Sequence, residues 1–481
     1  MRIQYTLHLI GIFIFFLGLI MTAPLLVSLL CKDGSHFAFI KAILVTTFSG
    51  LIIYFAFKDK NNTGLSHREG IAIVGIGWLV ACFFGSLPYI FNNTFDSFIN
   101  AFFESVSGFT TTGATVLNDI ESIPCGILFW RSLTQWLGGM GIIVLSIAIL
   151  PLLGVGGMQL YKAEVPTPIA DRLRPRISET AKVLWKVYVF ISLMEVFLLL
   201  LGGMDLLDAL CHTFTTMATG GFSTKNASIG QYHSAYLDIV ITFFMLLAGI
   251  NFSLHYKFLK GNVKDFLKDP ELRFFLALVG IFTVIVSLNI NSQFDSILES
   301  FRYGAFQVCS IITTTGYTTA DFDKWPELSR IILLICMFLG ASAGSTGGGI
   351  KCLRIMLLLK HSYQEIFKII HPHAIMQLKL GKRPLPLGVI NSIGGFFTLY
   401  MTLFIFSSIL LSFMGMDLIS AMAAVAATIG NVGPGLGMVG PTQNYDMIPY
   451  LGKWLLILCM LLGRLEIYTI IILFIPEFWK K

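Results

Sequence analysis

The sequence predicts an all-α polytopic membrane protein with about ten transmembrane helices. Four span–pore-helix–span repeats stand about one axis, and an extra N-terminal helix pair lies outside them. Three observations predict it. The 481 residues are 55% hydrophobic and only 12% charged, with mean hydropathy +0.78, far from the quarter-charged average of soluble domains. One Thr-Gly pattern occurs four times, as Phe109-Thr110-Thr111-Thr112-Gly113-Ala114-Thr115, Met217-Ala218-Thr219-Gly220-Gly221-Phe222-Ser223, Ile311-Ile312-Thr313-Thr314-Thr315-Gly316-Tyr317 and Ala427-Thr428-Ile429-Gly430-Asn431-Val432. Its glycines, Gly113, Gly220, Gly316 and Gly430, are 107, 96 and 114 residues apart, the mark of a diverged internal repeat. Each copy also follows a short apolar segment and lies between two long apolar runs.

In chain order, residues 1–60 hold the N-terminal pair, with runs at about 7–30 and 37–57. The first run is long enough to span and has no Ala-x-Ala site, so it reads as an uncleaved helix. The repeats occupy 61–160, 161–262, 263–380 and 381–481. Their paired spans lie at 69–91 and 128–153, 183–203 and 235–259, 272–290 and 328–370, and 387–415 and 450–476. The short segment of each repeat, such as 95–109, makes a helix of only about 22 Å, too short for a hydrocarbon core of roughly 30 Å. A single such segment reads as a surface loop with apolar anchors; four of them read as re-entrant half-helices. Asp96, Asp205, Asp295 and Asp417 are placed to cap these half-helices.

The loops around 58–68, 154–186, 257–273 and 351–383 carry 3, 6, 5 and 7 Lys or Arg. By the positive-inside rule both termini face the cytoplasm and the Thr-Gly stretches face outward. Asp119, Glu121, Asp321, Asp323, Glu327 and Asp446 then form a weakly acidic vestibule. The +6 net charge belongs to this asymmetry and not to a nucleic-acid partner. Eight cysteines without a C-x-x-C pair argue against a disulfide framework or zinc site. His371 and His373, in a basic loop, read as solvated and not as metal ligands.

Irregular backbone at membrane depth is tolerated where it is buried in protein or lines a water-filled cavity, so four such stretches converge on one axis. Glycine lets consecutive carbonyls point the same way, and a ring of carbonyls replaces the hydration shell of a monovalent cation. Plain helix packing is the bland alternative, but it uses small-xxx-small spacing, which these stretches lack.

The four span, half-helix, Thr-x-Gly, span units resemble the Trk/Ktr/HKT superfamily of potassium transporters across the whole chain, and the extra helix pair resembles its TrkH branch. The resemblance implies K+ uptake through one pathway per chain, a homodimer in the cell inner membrane, no enzymatic activity and no cofactor besides the transported ion. It implies a selectivity filter at Thr111, Thr112, Gly113, Thr219, Gly220, Thr315, Gly316, Thr428, Ile429, Gly430 and Asn431. K+ would sit at Thr112, Gly113, Thr219, Gly220, Thr315, Gly316, Ile429 and Gly430. It also implies docking of a TrkA-like nucleotide-binding subunit on the basic loops 154–186 and 351–383. Potassium channels carry Thr-Val-Gly-Tyr-Gly; only Gly316-Tyr317 matches it here, so coordination is expected to be less uniform.

A second feature is Gly340, Gly344, Ser345, Thr346, Gly347, Gly348 and Gly349 inside an apolar span. No Gly-Lys-Ser/Thr follows, which argues against a phosphate cradle and for a break in the helix below the filter. The resembling family has an intramembrane gating loop there. Arg464 is expected mid-span, where arginine costs on the order of 2.5–3.5 kcal/mol and needs a partner. Glu466 is one choice and the gating loop another. Glu104, Glu195 and Arg302 read as structural, with no partner identified. Two other readings are a less selective or Na+/K+ co-transporting pathway and, from a different class, an ion-coupled symporter for an organic solute, which wants more charged groups at mid-membrane. A membrane enzyme would cluster Asp, His or Glu at one interface, and no such cluster appears.

Overall fold

A computed structural model describes residues 2–58, 66–148, 177–373, 377–381, 383–385 and 387–480. Much of the loop expected at 58–68 and most of that at 154–186 fall outside the described residues, as do the expected boundaries at 60 and 160. Helices dominate; the described β structure is a two-residue ladder pairing Lys379–Leu380 with Arg383–Pro384.

The N-terminal pair is α1 (Ile3–Ile20) continued by α2 (Thr22–Cys31), then α3 (His36–Ala56). Gly11 and Gly50 allow α1 and α3 to pack backbone to backbone, because a Cβ at either would meet the other helix's main chain within 3 Å. Asp33 in the connecting turn accepts from Gly126 N at 2.7 Å and so ties the pair to α6 (Cys125–Ala148).

The remaining helices follow in order: α4 (His67–Phe91), α5 (Phe98–Phe109), α7 (Ile177–Leu201), α8 (Leu206–Met217), α9 (Ala235–Gly249), α10 (Phe252–Leu259), α11 (Val263–Lys268), α12 (Pro270–Ile290), α13 (Ile297–Ile312), α14 (Glu327–Leu339), α15 (Cys352–Ile370), α16 (Leu387–Phe413), α17 (Leu418–Ile429), α18 (Tyr450–Arg464) and α19 (Ile467–Ile471). Six described helices are long and apolar enough to cross a membrane, or eight if each bent pair counts as one span. The expected ten include two stretches outside these eight. One is α6, and the other is the third-repeat span, which is split into helices of 13 and 19 residues.

The short segments are helices α5, α8, α13 and α17, of 12, 12, 16 and 12 residues. Asp205 and Asp417 cap α8 and α17 as expected. Asp96 and Asp295 do not cap α5 and α13. The next residues, Ser97 and Ser296, do so, because a hydroxyl reaches the N3 amide as well as a carboxylate does.

The expectation of one broken span is too small. Among the described residues breaks occur in three second helices: at Ile250-Asn251, where α9 and α10 differ by 102°, at 340–351, and at Leu465-Glu466, where α18 and the following helix differ by 118°. Arg464 therefore lies at the end of α18, beside a break, and not in mid-helix.

Candidate functional site

All four half-helices end in the same turn. The second residue beyond each helix takes a left-handed conformation: Thr111 at φ 52°, Thr219 at 54°, Thr314 at 60° and Asn431 at 53°. The next amide donates five residues back: Thr112 to Ser107 O, Gly220 to Thr215 O, Thr315 to Ser310 O and Val432 to Ala427 O, at 2.7–2.9 Å. This is Schellman-type C-capping, repeated four times. One residue further stand Gly113, Gly221, Gly316 and Gly433, at φ 80°, 69°, 81° and 98°.

The geometry moves two of the four expected glycines. Gly220 is equivalent to Thr112, and Gly430, at φ −79°, is the C-cap residue equivalent to Thr110. Thr428 and Ile429 lie within α17 and are fully buried. Residue identity misled in the fourth copy because glycine also sits at the cap. Gly433, three residues on, takes in the fourth copy the place that Gly113 takes in the first.

The four glycines close a ring. A Cβ on Gly113 would strike the carbonyl of Gly220, one on Gly221 that of Thr315, one on Gly316 that of Val432, and one on Gly433 would lie 2.6 Å from that of Thr112. Each glycine therefore lets the carbonyl of one copy approach the backbone of the next. Side chains behind the ring hold it in place. Gln135 Nε2 donates to Gly220 O at 2.7 Å while its Oε1 accepts from Phe222 N at 3.1 Å. Gln307 Nε2 and Ser310 Oγ donate to Tyr317 O, and Tyr445 Oη donates to Gly433 O at 2.6 Å. Asn431 Nδ2 donates to Thr112 Oγ1 at 2.9 Å, bridging the fourth and first copies. Above the ring the four glycines line a solvent-open cleft.

Glu104 has a partner: its Oε1 lies 2.6 Å from Arg131 Nε, both fully buried, while Val116 N and Thr115 Oγ1 donate to the same carboxylate. Arg131 also donates to Ser223 O at 2.9 Å, joining the chains that leave the first two half-helices. Arg302 lies 3.5 Å from Asp238. Glu195 is fully buried on α7 beside Thr216. Arg131 and Gln135 escaped the sequence reading; a basic residue in an apolar span opposite an unexplained Glu104 was the available signal. His371 and His373 are exposed, and no group of three metal-ligating side chains occurs among the described residues.

The glycine-rich loop lies directly below the ring. Gly348 N donates to Thr314 Oγ1 at 2.7 Å, Thr346 Oγ1 donates to Met217 O at 3.0 Å, and Cβ atoms on Gly347 and Gly348 would meet Thr313 O and Gly430 O. Three half-helix ends thus rest on it. Two breaks satisfy each other: Ser342 N donates to Gly249 O and Thr346 N to Ala248 O, carbonyls freed where α9 stops. Gly340, Gly344 and Gly349 have φ of 69°, 77° and 72°, so the loop is a built turn. Ser345 Oγ closes it on Ser342 O. Arg464 donates from Nη1 to Thr346 O at 2.7 Å and from Nη2 to Gly138 O at 3.2 Å. Glu466 is not its partner, since it pairs with Arg354 at 2.7 Å. Lys351, expected in the basic region after the loop, is buried and donates to Gly347 O, and Glu271 accepts from Ala343 N at 2.5 Å.

A helical membrane protein whose four half-helices end on one ring of backbone carbonyls belongs to the class of pore-type cation transporters. The TrkH family model, described as a cation transport protein, matches residues 35–481, and the chain belongs to that family. The chain is 42% identical over 486 residues, with both chains fully covered, to the Trk system potassium uptake protein TrkH of Escherichia coli K12. It is 35% identical over 484 residues to that strain's Trk system potassium uptake protein TrkG, covering 100% of this chain and 99% of the relative. The crystal structure of the potassium transporter TrkH from Vibrio parahaemolyticus superposes with a TM-score of 0.90 at 39% identity over the whole of both chains.

Proposed function

We propose that this chain carries K+ inward across the cell inner membrane through the carbonyl ring, with the glycine-rich loop as its gate. The observation that carries the reading is the closed cycle in which Gly113, Gly221, Gly316 and Gly433 each admit a neighbouring copy's carbonyl. Oxygen ligands on several sides replace water around a monovalent cation, and the half-helices direct their partly negative C-termini at it. The ion-binding set is then the backbone of Thr111–Gly113, Thr219–Gly221, Thr314–Gly316 and Asn431–Gly433. Full-length relatives named as potassium uptake proteins support K+ as the cargo.

In the closed state the loop crosses the pathway, pinned by Arg464 at Thr346 O and by Lys351 at Gly347 O. The basic region after the loop would receive a TrkA-like regulatory subunit, the chain would work as a homodimer with both termini cytoplasmic, and uptake would follow the membrane potential with or without a coupled ion. Uptake into proteoliposomes with K+, Na+ and an organic solute in competition tests the reading. K+ is expected to win over both, and equal uptake of all three would reject it.

A further inference from the structure

The mouth of the proposed cation pathway contains two positive charges, Arg131 and Lys225, in the wall of the cleft formed by the four glycines. Arg131 is fully buried and bonded to Glu104 and Ser223. Lys225 differs: a third of its side chain (33%) is exposed, and its ammonium lies 3.3 Å from Asp208 Oδ2. The base of the side chain is fixed. Lys225 N donates to Ser223 Oγ at 3.0 Å, and the next residue, Asn226, is bound through its amides to Glu121 and Asp119 of the first copy's outer loop. Asp208 is fixed as well, accepting from Thr224 Oγ1 at 2.6 Å and Tyr232 Oη at 2.5 Å.

With a third of the Lys225 side chain in water its attraction to the buried Asp208 is screened, so the pair is poorly explained as a structural staple. Its electrostatic effect is larger. An unpaired ammonium beside the entry repels an arriving cation, and the carboxylate cancels that field. We propose that the Asp208–Lys225 pair sets the external K+ affinity of the pathway by holding the Lys225 ammonium back from the mouth. This rests on the cation-pathway reading above.

The test is K+ uptake by the full chain in proteoliposomes, with half-saturation and maximal rate measured separately. Asp208→Asn keeps an oxygen to accept from Thr224 Oγ1, turns its amide NH2 toward the Tyr232 hydroxyl oxygen, which can accept, and removes the charge. It raises the external K+ half-saturation about twofold to fivefold at unchanged maximal rate, the scale of one charge acting across a wet cleft. Lys225→Met lowers the half-saturation, and the double variant returns to wild type. Both shifts shrink when an impermeant salt raises ionic strength, as screening requires. An unchanged half-saturation in Asp208→Asn overturns the inference, as does a double variant that stays impaired, because Asp208 would then act through its hydrogen bonds. If Asp208→Asn does not fold, Lys225→Met decides alone: no shift, or one insensitive to salt, overturns it. A wild-type chain that takes up no K+ overturns the cation-pathway reading with it, whereas K+ uptake with unshifted variants overturns this inference only.

Discussion

Thr111, Thr219 and Thr314 hold left-handed backbone angles that β-branched residues avoid at a cost of about 1–3 kcal/mol each. The strain persists because the amides on both sides are bonded back into the half-helices, which fixes where the following carbonyls point. On this account Gly221→Ser and Gly433→Ser reduce the preference for K+ over Na+ as much as Gly113→Ser or Gly316→Ser do. The loss is about tenfold for roughly 1.4 kcal/mol of misplaced ligand, read from competitive flux. Normal selectivity in both new variants would remove the ring from the filter. The buried Glu104–Arg131 pair makes a stability prediction. Glu104→Ala leaves an unpaired buried guanidinium and lowers unfolding stability in detergent by about 3–5 kcal/mol. The Thr-Gly pattern made two of the four glycines legible, Gly113 and Gly316. Gly221 and Gly433 were not, because equivalence is set by hydrogen-bond register and not by the first glycine met.

Freed backbone groups at the breaks are costly in a membrane; the loop amides of Ser342 and Thr346 take up carbonyls at the end of α9, and Arg464, beside the α18–α19 break, reaches the loop through Thr346 O. Arg464 is central because two of its donors reach carbonyls on different elements, Thr346 and Gly138. Arg464→Ala is expected to raise regulator-free flux at least about tenfold, since a hydrogen bond from a charged donor is worth about 1.5–3 kcal/mol. Arg464→Lys, with no planar fork, should fall between the two. Deleting Ser342–Gly348 should also raise flux; wild-type flux in both well-folded variants would make the loop a passive kink. The N-terminal pair carries a pH prediction. Burial alone would raise the Asp33 pKa, but hydrogen bonds from Gly126, Ser28 and Ser35 outweigh it and hold it below the usual 3.8. Its stabilisation is therefore present above about pH 4 and lost as pH falls through the lowered value. Asp33→Asn should lower the melting temperature at pH 7, and the difference from the parent chain should shrink progressively as pH is taken below about 4.

Beyond the loop, α15 exposes Leu359, Tyr363, Ile366 and Ile370 on one side, at helical spacing. The proposed homodimer offers a cover for that stripe. Ile366→Glu with Ile370→Glu should shift the detergent-solubilised protein from dimer to monomer by light scattering, and a dimer that survives would place the interface elsewhere. The regulatory partner is tested by co-purification and by change of flux, and absence of both would remove it from the proposal.

Composition, the spacing of apolar runs and the fourfold recurrence determined the class, the extra helix pair, the half-helices and the place of the glycine-rich break. These are local signals: hydrophobic length and a repeated turn are written in consecutive residues. Tertiary structure decided which carbonyl faces which glycine, that Glu104 meets Arg131 from 27 residues away, and that Arg464 bonds Thr346 across 118 residues. It also decided that three spans break among the described residues, and not one. A buried polar group's partner is chosen by packing between distant segments, and a break is tolerated only where another segment supplies the missing hydrogen bonds, which no window along one chain can display.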